Sequence, residues 1–248
     1  MRTLKILSAL LSYPEAETQA ATREIWAEVA RDTSLGGVPR AALLDHVEAI
    51  GGSDLLELQE RWVGLFDRTR SLSLHLFEHV HGESRERGQA MVDLQDLYAE
   101  HGLDRVATEM PDYLPLFLEF LSILPADRAI ELLGETVHIL TTLAERLEKR
   151  QSSYAAIFRA LTEIADRKPA PAELAVIVPD DGVEADDLEA LDALWEDQPV
   201  EFGPDAADCG VDSLGSRLRA ARRPAPGMTP PPAAPRPTVT HSRSLPGS

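Results

Sequence analysis

The chain has 248 residues, of which 42 are Asp or Glu and 24 are Lys or Arg, so its formal net charge is −18. An acidic surface repels phosphate backbones, and a nucleic-acid binder is therefore disfavoured. Cys209 is the only cysteine, which excludes a disulfide framework and a cysteine-based zinc site and fits a reducing compartment. The longest apolar run, residues 113–125, is too short to span a bilayer, so we expect a cytoplasmic protein without direct membrane insertion.

The first 65 residues show the apolar spacing of amphipathic helices. Stripes with this spacing predict four helices, over residues 4–11, 25–29, 43–50 and 55–65. Pro14 ends the first because proline cannot donate to the helical hydrogen-bond ladder. Asp54, three residues before Glu57, is typical of a capping box and marks the start of the fourth.

Three more helices are predicted over residues 86–100, 112–124 and 126–149, the last resuming near Tyr154 after a break at 151–153. No segment shows the two-residue period of a strand. We therefore predict an all-α fold with a single helical bundle-like domain over residues 1–167. The helix at 112–124 is apolar around most of its circumference, which indicates a central core helix or, as the alternative, a half-exposed binding surface.

The composition changes after residue 167. Residues 169–212 contain 14 acidic and no basic residues, whereas residues 213–248 contain six arginines and no acidic residue. Eight of the 18 prolines lie in residues 224–248. Such a chain buries too little apolar area to offset its conformational entropy, so residues 168–248 are predicted to be a largely disordered tail, acidic and then Arg/Pro-rich, with a candidate short helix at 186–196.

The densest polar stretch, residues 75–88, raises the question of a metal site. His75-x-x-Glu78-His79 is the inverted zinc-protease signature, in which two imidazoles on one helix face hold Zn²⁺ and the carboxylate activates water. A zinc-dependent hydrolase is therefore the alternative function. The sequence specifies no third ligand and no strand that would bind a substrate, so we do not favour it.

No nucleophile motif or phosphate-binding glycine loop occurs elsewhere in the chain. What remains is an acidic helical domain that has a strongly apolar helix and a stretch rich in His, Glu and Arg. These features suit the binding of an extended or helical peptide, whose apolar anchors enter a groove while its charged residues meet opposite charges.

Three stretches carry a resemblance to a known family. Residues 72–91 (LSLHLFEHVHGESRERGQAM), 111–121 (PDYLPLFLEFL) and 5–14 (KILSALLSYP) resemble the NarJ-type assembly chaperones of respiratory nitrate reductase, within the wider TorD-like group. The resemblance covers residues 1–167. Relatives in the wider group carry an Asp-His pair near Asp112, but Tyr113 follows the aspartate here, so roles proposed for that histidine do not transfer.

The resemblance implies an all-helical cytoplasmic chaperone that is not an enzyme. Its partner would be the apo catalytic (alpha) subunit of nitrate reductase, including an N-terminal peptide with remnant twin-arginine character. The chaperone would hold this client for insertion of the molybdenum cofactor and delay its docking on the membrane. No cofactor or metal of its own is implied, while contact with molybdenum cofactor biosynthesis proteins stays open.

We expect client contact in the two most similar blocks. The predicted client-binding residues are His75, Glu78, His79, His81, Glu83, Arg85, Arg87, Asp112, Tyr113, Leu116, Phe117 and Phe120. Within the apolar helix, Leu116 and Phe120 are expected on the client side, while Leu114, Phe117 and Leu121 are expected to face the core.

Overall fold

Helices form almost all of the regular structure. The computed structural model describes residues 1–81, 85–103, 109–178 and 180. Its helices are α1 (Arg2–Leu11), α2 (Ala16–Ala20), α3 (Thr22–Arg31), α4 (Gly37–Gly52), α5 (Leu55–Trp62), α6 (Glu78–His81), α7 (Arg85–Glu100), α8 (Leu114–Ile123), α9 (Ala126–Glu135), α10 (Val137–Lys149), α11 (Ala155–Ile164) and α12 (Pro171–Leu174). A π-helical turn (Val63–Asp67) and a 3₁₀ turn (Arg70–Leu72) follow α5. These described ranges contain no strand, and the predicted all-α class is confirmed.

Local chemistry sets several helix ends. Asp54 caps α5, since its side chain accepts hydrogen bonds from the backbone N–H groups of Leu56 and Glu57 at 2.8 and 3.4 Å. The single helix predicted over 126–149 is wrong, because the chain breaks at Thr136 between α9 and α10. The buried Thr136 hydroxyl donates to the Leu133 carbonyl at 2.8 Å and so competes with the helical ladder.

The core is built around α8. Helix α1 packs along α8, α10 along α11 and α3 along α4, while α11 also contacts α4 and α1. Most apolar residues of α1 and α8 are fully or almost fully buried, among them Leu4, Leu7, Leu11, Leu114, Leu118 and Leu121. The interpretation of the 112–124 segment as a central core helix is therefore the one that the structure supports.

The packed part of the chain extends beyond the predicted boundary at residue 167. Helix α12 contacts α10, and Ile177 packs against the hydrophobic core. The candidate helix at 186–196, with the rest of the predicted tail, lies outside the described residues. Within the described part of the chain, no helix is both long and apolar enough to cross a membrane.

Candidate functional site

Two distant sequence blocks meet at the N-terminal end of α8. The loop that follows the 3₁₀ turn runs antiparallel to residues 112–114, with a bridge between His75 and Tyr113. Leu76 donates its N–H to the Asp112 carbonyl at 3.0 Å, and Leu114 donates to the Leu74 carbonyl at 2.8 Å. The structure thus joins the two stretches in which client contact is predicted.

The centre of this junction is the fully buried carboxylate of Asp112. Its Oδ1 lies 3.2 Å from Nδ1 of His75, and its Oδ2 accepts the backbone N–H of Phe77 at 3.1 Å. A third group, Arg87 Nη2, lies 4.0 Å from Oδ2. A buried carboxylate is costly unless it is paired and hydrogen-bonded, and these partners supply what it needs.

Three charged or titratable side chains form the open edge of the junction. The side chains of His75, Glu78 and Arg87 are 30%, 29% and 23% exposed. Arg87 Nη2 donates to Glu78 Oε1 at 3.0 Å, so the edge carries an ion pair beside the imidazole. We call Asp112, His75, Glu78 and Arg87 the Asp112 cluster.

Neighbouring charges shift the protonation of this cluster. The hydrogen bond to Asp112 raises the pKa of His75, assisted by the charges of Asp112 and Glu78 against burial and Arg87. Burial alone would raise the pKa of Glu78. The Ser73 hydroxyl, Arg87 and His75 together outweigh burial and lower this pKa. The open edge therefore presents an ionised carboxylate next to a histidine that protonates readily.

Four of the predicted contact residues are buried, namely Asp112, His79, Phe117 and Phe120. His79 is buried, its Nε2 donates to the Ser73 carbonyl at 2.7 Å, and burial lowers its pKa to about 4. Phe120 is also fully buried, with ring centroids 4.7 Å from Tyr98 and 5.4 Å from His101. The expectation that Phe120 faces a client is wrong, because α7 covers the side of α8 that was taken to be open.

The other predicted residues are distributed around the cluster. Tyr113 is partly buried, with its ring 5.6 Å from that of His75, and its pKa is raised to about 12 by burial and then by Glu109. Leu116 is partly buried, whereas Phe117 is almost fully buried. This agrees with the expected core orientation of Phe117 but not with its place among the predicted client-binding residues. His81 is partly buried with its ring edge-on to Phe77.

Glu83 lies outside the described residues. For Arg85, only the backbone position at the start of α7 is described.

The zinc-hydrolase alternative does not fit the local geometry. Helix α6 begins only at Glu78, so His75 precedes the helix, and the two imidazoles do not share the helix face that the signature requires. Their ring nitrogens already contact Asp112 and the Ser73 carbonyl. Within the described ranges, no group of three or more His, Cys, Asp or Glu side chains is placed to hold a metal ion.

One residue near the loop escaped the sequence analysis. Arg146 on α10 is only 4% exposed and donates from Nη1 to the Ser71 carbonyl at 2.7 Å. The sequence feature that could have identified Arg146 is its position in the buried stripe of α10, where a charged residue is unusual. It lies one turn after Leu143 and beside Leu147.

The fold and the site together define a class of binding protein: a helical domain with a half-open polar cluster and, in the part of the chain that is described, no metal-binding group. The family model for the nitrate reductase delta subunit matches residues 17–160. The chain belongs to this nitrate reductase delta subunit family, and the resemblance stated from the sequence is confirmed.

Individual relatives agree with this assignment. The chain is 40% identical over 219 residues to the nitrate reductase molybdenum cofactor assembly chaperone NarJ of Escherichia coli K12, covering 88% of this chain and 92% of that protein. It is also 40% identical over 221 residues to the probable chaperone of the same description, NarW, in that strain, with the same coverage. These relatives are named chaperones, and the protein is accordingly a chaperone and not an enzyme.

A solved structure shows the same fold. A crystal structure described as a candidate redox enzyme maturation protein from Archaeoglobus fulgidus has a TM-score of 0.51 and 24% identity, covering 67% of this chain and 94% of that one. At this identity the likeness establishes the fold alone.

Proposed function

We propose that this chaperone binds the apo catalytic (alpha) subunit of respiratory nitrate reductase, including its N-terminal peptide, and holds it for molybdenum cofactor insertion and membrane assembly. The observation that carries the proposal is the 40% identity, over most of both chains, to a nitrate reductase molybdenum cofactor assembly chaperone. The ligand of the chaperone in this proposal is the polypeptide, and molybdenum cofactor biosynthesis proteins would act on the held client.

The Asp112 cluster suits a peptide that carries positive charge. Glu78 is ionised and partly exposed, and its present partner is Arg87 at 3.0 Å. An arginine of the client can replace Arg87 at this carboxylate, with bidentate geometry. Arg87 can then bind a carbonyl or carboxylate of the same peptide. The ion pair between Glu78 and Arg87 is thereby replaced by two contacts with the client.

Apolar surface lies next to these charges. Tyr113 and Leu116 are both partly buried at the start of α8 and pack against the core, and each retains an exposed fraction. Apolar side chains of the peptide can rest there while its cation reaches Glu78. Peptide recognition commonly combines apolar contacts, which supply affinity, with charged contacts, which supply specificity.

Calorimetric titration of the full chain with a synthetic N-terminal peptide of the alpha subunit tests the proposal. We expect saturable binding, weakened about three- to tenfold by Glu78→Gln, because a charge-assisted contact becomes a neutral one. Glu131→Gln is the matched control, since Glu131 is also an exposed carboxylate paired with an arginine, Arg128, but lies on α9 outside the site. The control is expected to bind like the natural chain.

Titrations at about pH 6 and about pH 9 add a second measurement, since this interval spans histidine ionisation when the pKa is raised. Protonated His75 adds a positive charge beside Glu78, so a cationic peptide should bind more weakly at the lower pH. His79 stays neutral throughout this interval because its pKa is about 4. Absence of saturable peptide binding by the natural chain at both pH values would contradict the proposal.

A further inference from the structure

The segment that follows α11 reaches the same loop from a third direction. Residues 171–178, which we call the arm, begin with α12 and then extend along the loop. Val178 donates its N–H to the His79 carbonyl at 3.1 Å. The arm is anchored elsewhere by Ile177, which packs on the core, and by Glu173, which forms an ion pair with Arg167.

Arg146 links the arm to the other end of the loop. Its Nη1 donates to the Ser71 carbonyl at 2.7 Å, and its Nη2 donates to the Val178 carbonyl. Ser71 and His79 are thus linked through the guanidinium of Arg146 and the backbone N–H and carbonyl of Val178. Just beyond, Asp180 accepts hydrogen bonds at 3.4 Å from Arg150, the residue that follows α10, and the two side chains form an ion pair.

Packing alone does not account for an arginine at this position. Arg146 is 4% exposed and follows Leu143 in the buried stripe of α10, where a leucine or methionine would fill space at a smaller desolvation cost. The guanidinium can do what those side chains cannot, because its planar fork serves two backbone carbonyls in a fixed direction. What it fixes is the spacing between the loop and the arm.

We propose that Arg146 is a positioning residue for client binding, acting with the arm to clamp both ends of the loop at residues 71–79. His75 and Glu78 lie between these two ends, and Asp112 holds this part of the loop from the side of α8. Leu74, Leu76 and Phe77 bury their side chains in the core, so the clamp acts on the two partly exposed polar residues. The inference rests on the proposed function, because it assumes that this loop contacts the client. A clamped loop loses less conformational freedom on binding, which increases affinity without any new contact.

Substitutions in the full chain can remove the contacts of the clamp while matched control variants retain them. Val178→Pro removes the N–H that reaches His79, while Val178→Ala keeps that N–H and serves as its matched control on a side chain that is 46% exposed. Arg146→Met removes the guanidinium but keeps an unbranched apolar stem, and Arg146→Lys keeps the charge without the planar fork. Each protein is titrated with the alpha-subunit N-terminal peptide.

We expect Val178→Pro and Arg146→Met to bind the peptide about tenfold more weakly than the natural chain, and Val178→Ala to bind equally well. Arg146→Lys should restore part of the loss. Nuclear magnetic resonance titration of His75 in the peptide-free proteins gives a second readout. Loss of the clamp displaces His75 from Asp112, so its pKa should fall in both weakened variants, whereas a general loss of stability at a distance would leave it unchanged.

The results distinguish this inference from the proposed function. If the natural chain binds no peptide, the proposed function fails, and the His75 titration alone decides whether the arm positions the loop. If the natural chain binds and all four variants bind equally well with an unchanged His75 pKa, the clamp is wrong. Tighter binding by Val178→Pro would also overturn it, because the arm would then obstruct the site.

Discussion

Helix α8 and the loop at residues 71–79 are neighbours in the same core, yet only the loop is also held by polar groups from distant parts of the chain. Most of the helix is buried through its apolar side chains, with Phe120 and Leu121 fully inaccessible. The loop also contributes buried apolar side chains, those of Leu72, Leu74, Leu76 and Phe77. In addition, polar groups from other parts of the chain hold its backbone: Asp112, Arg146 and the backbone of Val178. The comparison teaches that the two family-like blocks contribute differently: α8 supplies mainly apolar side chains to the core, whereas the loop also places the partly exposed His75 and Glu78 where we propose that a client binds.

Truncation of Phe120 is the largest expected effect and tests the helix side of this comparison. Phe120→Ala should reduce the free energy of unfolding by about 3–5 kcal/mol, because it leaves a cavity in a core with no solvent access. Peptide affinity per folded molecule should not change. Urea denaturation measures the first quantity, and calorimetry corrected for the folded fraction measures the second.

Leu116→Ala is the control for Phe120, because Leu116 lies on the same helix and is only partly buried. We expect a loss of about 1 kcal/mol of stability together with weaker peptide binding. If Phe120→Ala weakens binding per folded molecule while Leu116→Ala does not, the helix has been assigned the wrong exposed side.

Acid should destabilise the protein through the buried part of the loop. The pKa of His79 is lowered to about 4 by burial, so between an ordinary pKa of about 6.5 and about 4 the unfolded chain binds a proton that the folded chain does not. Stability therefore falls as the pH drops through this interval, by up to about 3 kcal/mol for this one group. His46, buried with a pKa also lowered to about 4, adds a contribution of the same sign.

His75 makes the opposite contribution, since its pKa is raised. The stability it provides is fully present below its unfolded pKa and is lost as the pH rises through its folded pKa. Urea denaturation at a series of pH values, on His79→Gln and on the exposed control His101→Gln, checks these signs. An acid response that is equal in the two variants would show that His79 is not neutral in the folded protein.

A smaller effect than those of Phe120 and His79 is expected at the carboxylate that joins the two regions. Asp112→Asn keeps an acceptor for the N–H of Phe77 but removes the charge beside His75, and we expect a loss of about 1–2 kcal/mol. The pKa of His75, followed by nuclear magnetic resonance, should fall towards its ordinary value. A His75 titration that Asp112→Asn leaves unchanged would mean that the two side chains are not paired in solution.

Local pattern predicted the helices better than it predicted the site. Pro14 and Asp54 mark ends that depend on the backbone chemistry of neighbouring residues, so sequence alone could locate them. The break at Thr136 escaped because the surrounding apolar stripe continues through it. The periodicity of α8 showed that most of its circumference is apolar, but could not show that α7 covers Phe120, since that contact is between helices.

The site was harder to predict than the helices, because its geometry depends on contacts between residues that are far apart in the sequence. The block at 72–91 was identified by its resemblance to a family, and its histidines looked alike in the sequence. Their environments differ because Asp112 reaches His75 across 37 residues, while His79 turns inward to Ser73. Arg146 and Val178 could not be connected to the loop at all, because no local rule relates a helix residue to a carbonyl 75 positions earlier.

The residues that hold the loop are all synthesised after the loop itself, and this order has a consequence for folding. The loop at 71–79 emerges early, but Asp112, Arg146 and Val178 follow it one after another along the chain. A nascent or truncated chain would contain the loop without the residues that hold it, because a long-range contact forms only once both partners have been synthesised. The ability to bind a client at this loop would thus develop in stages during synthesis. Only a chain that extends past Val178 would hold the loop at both ends.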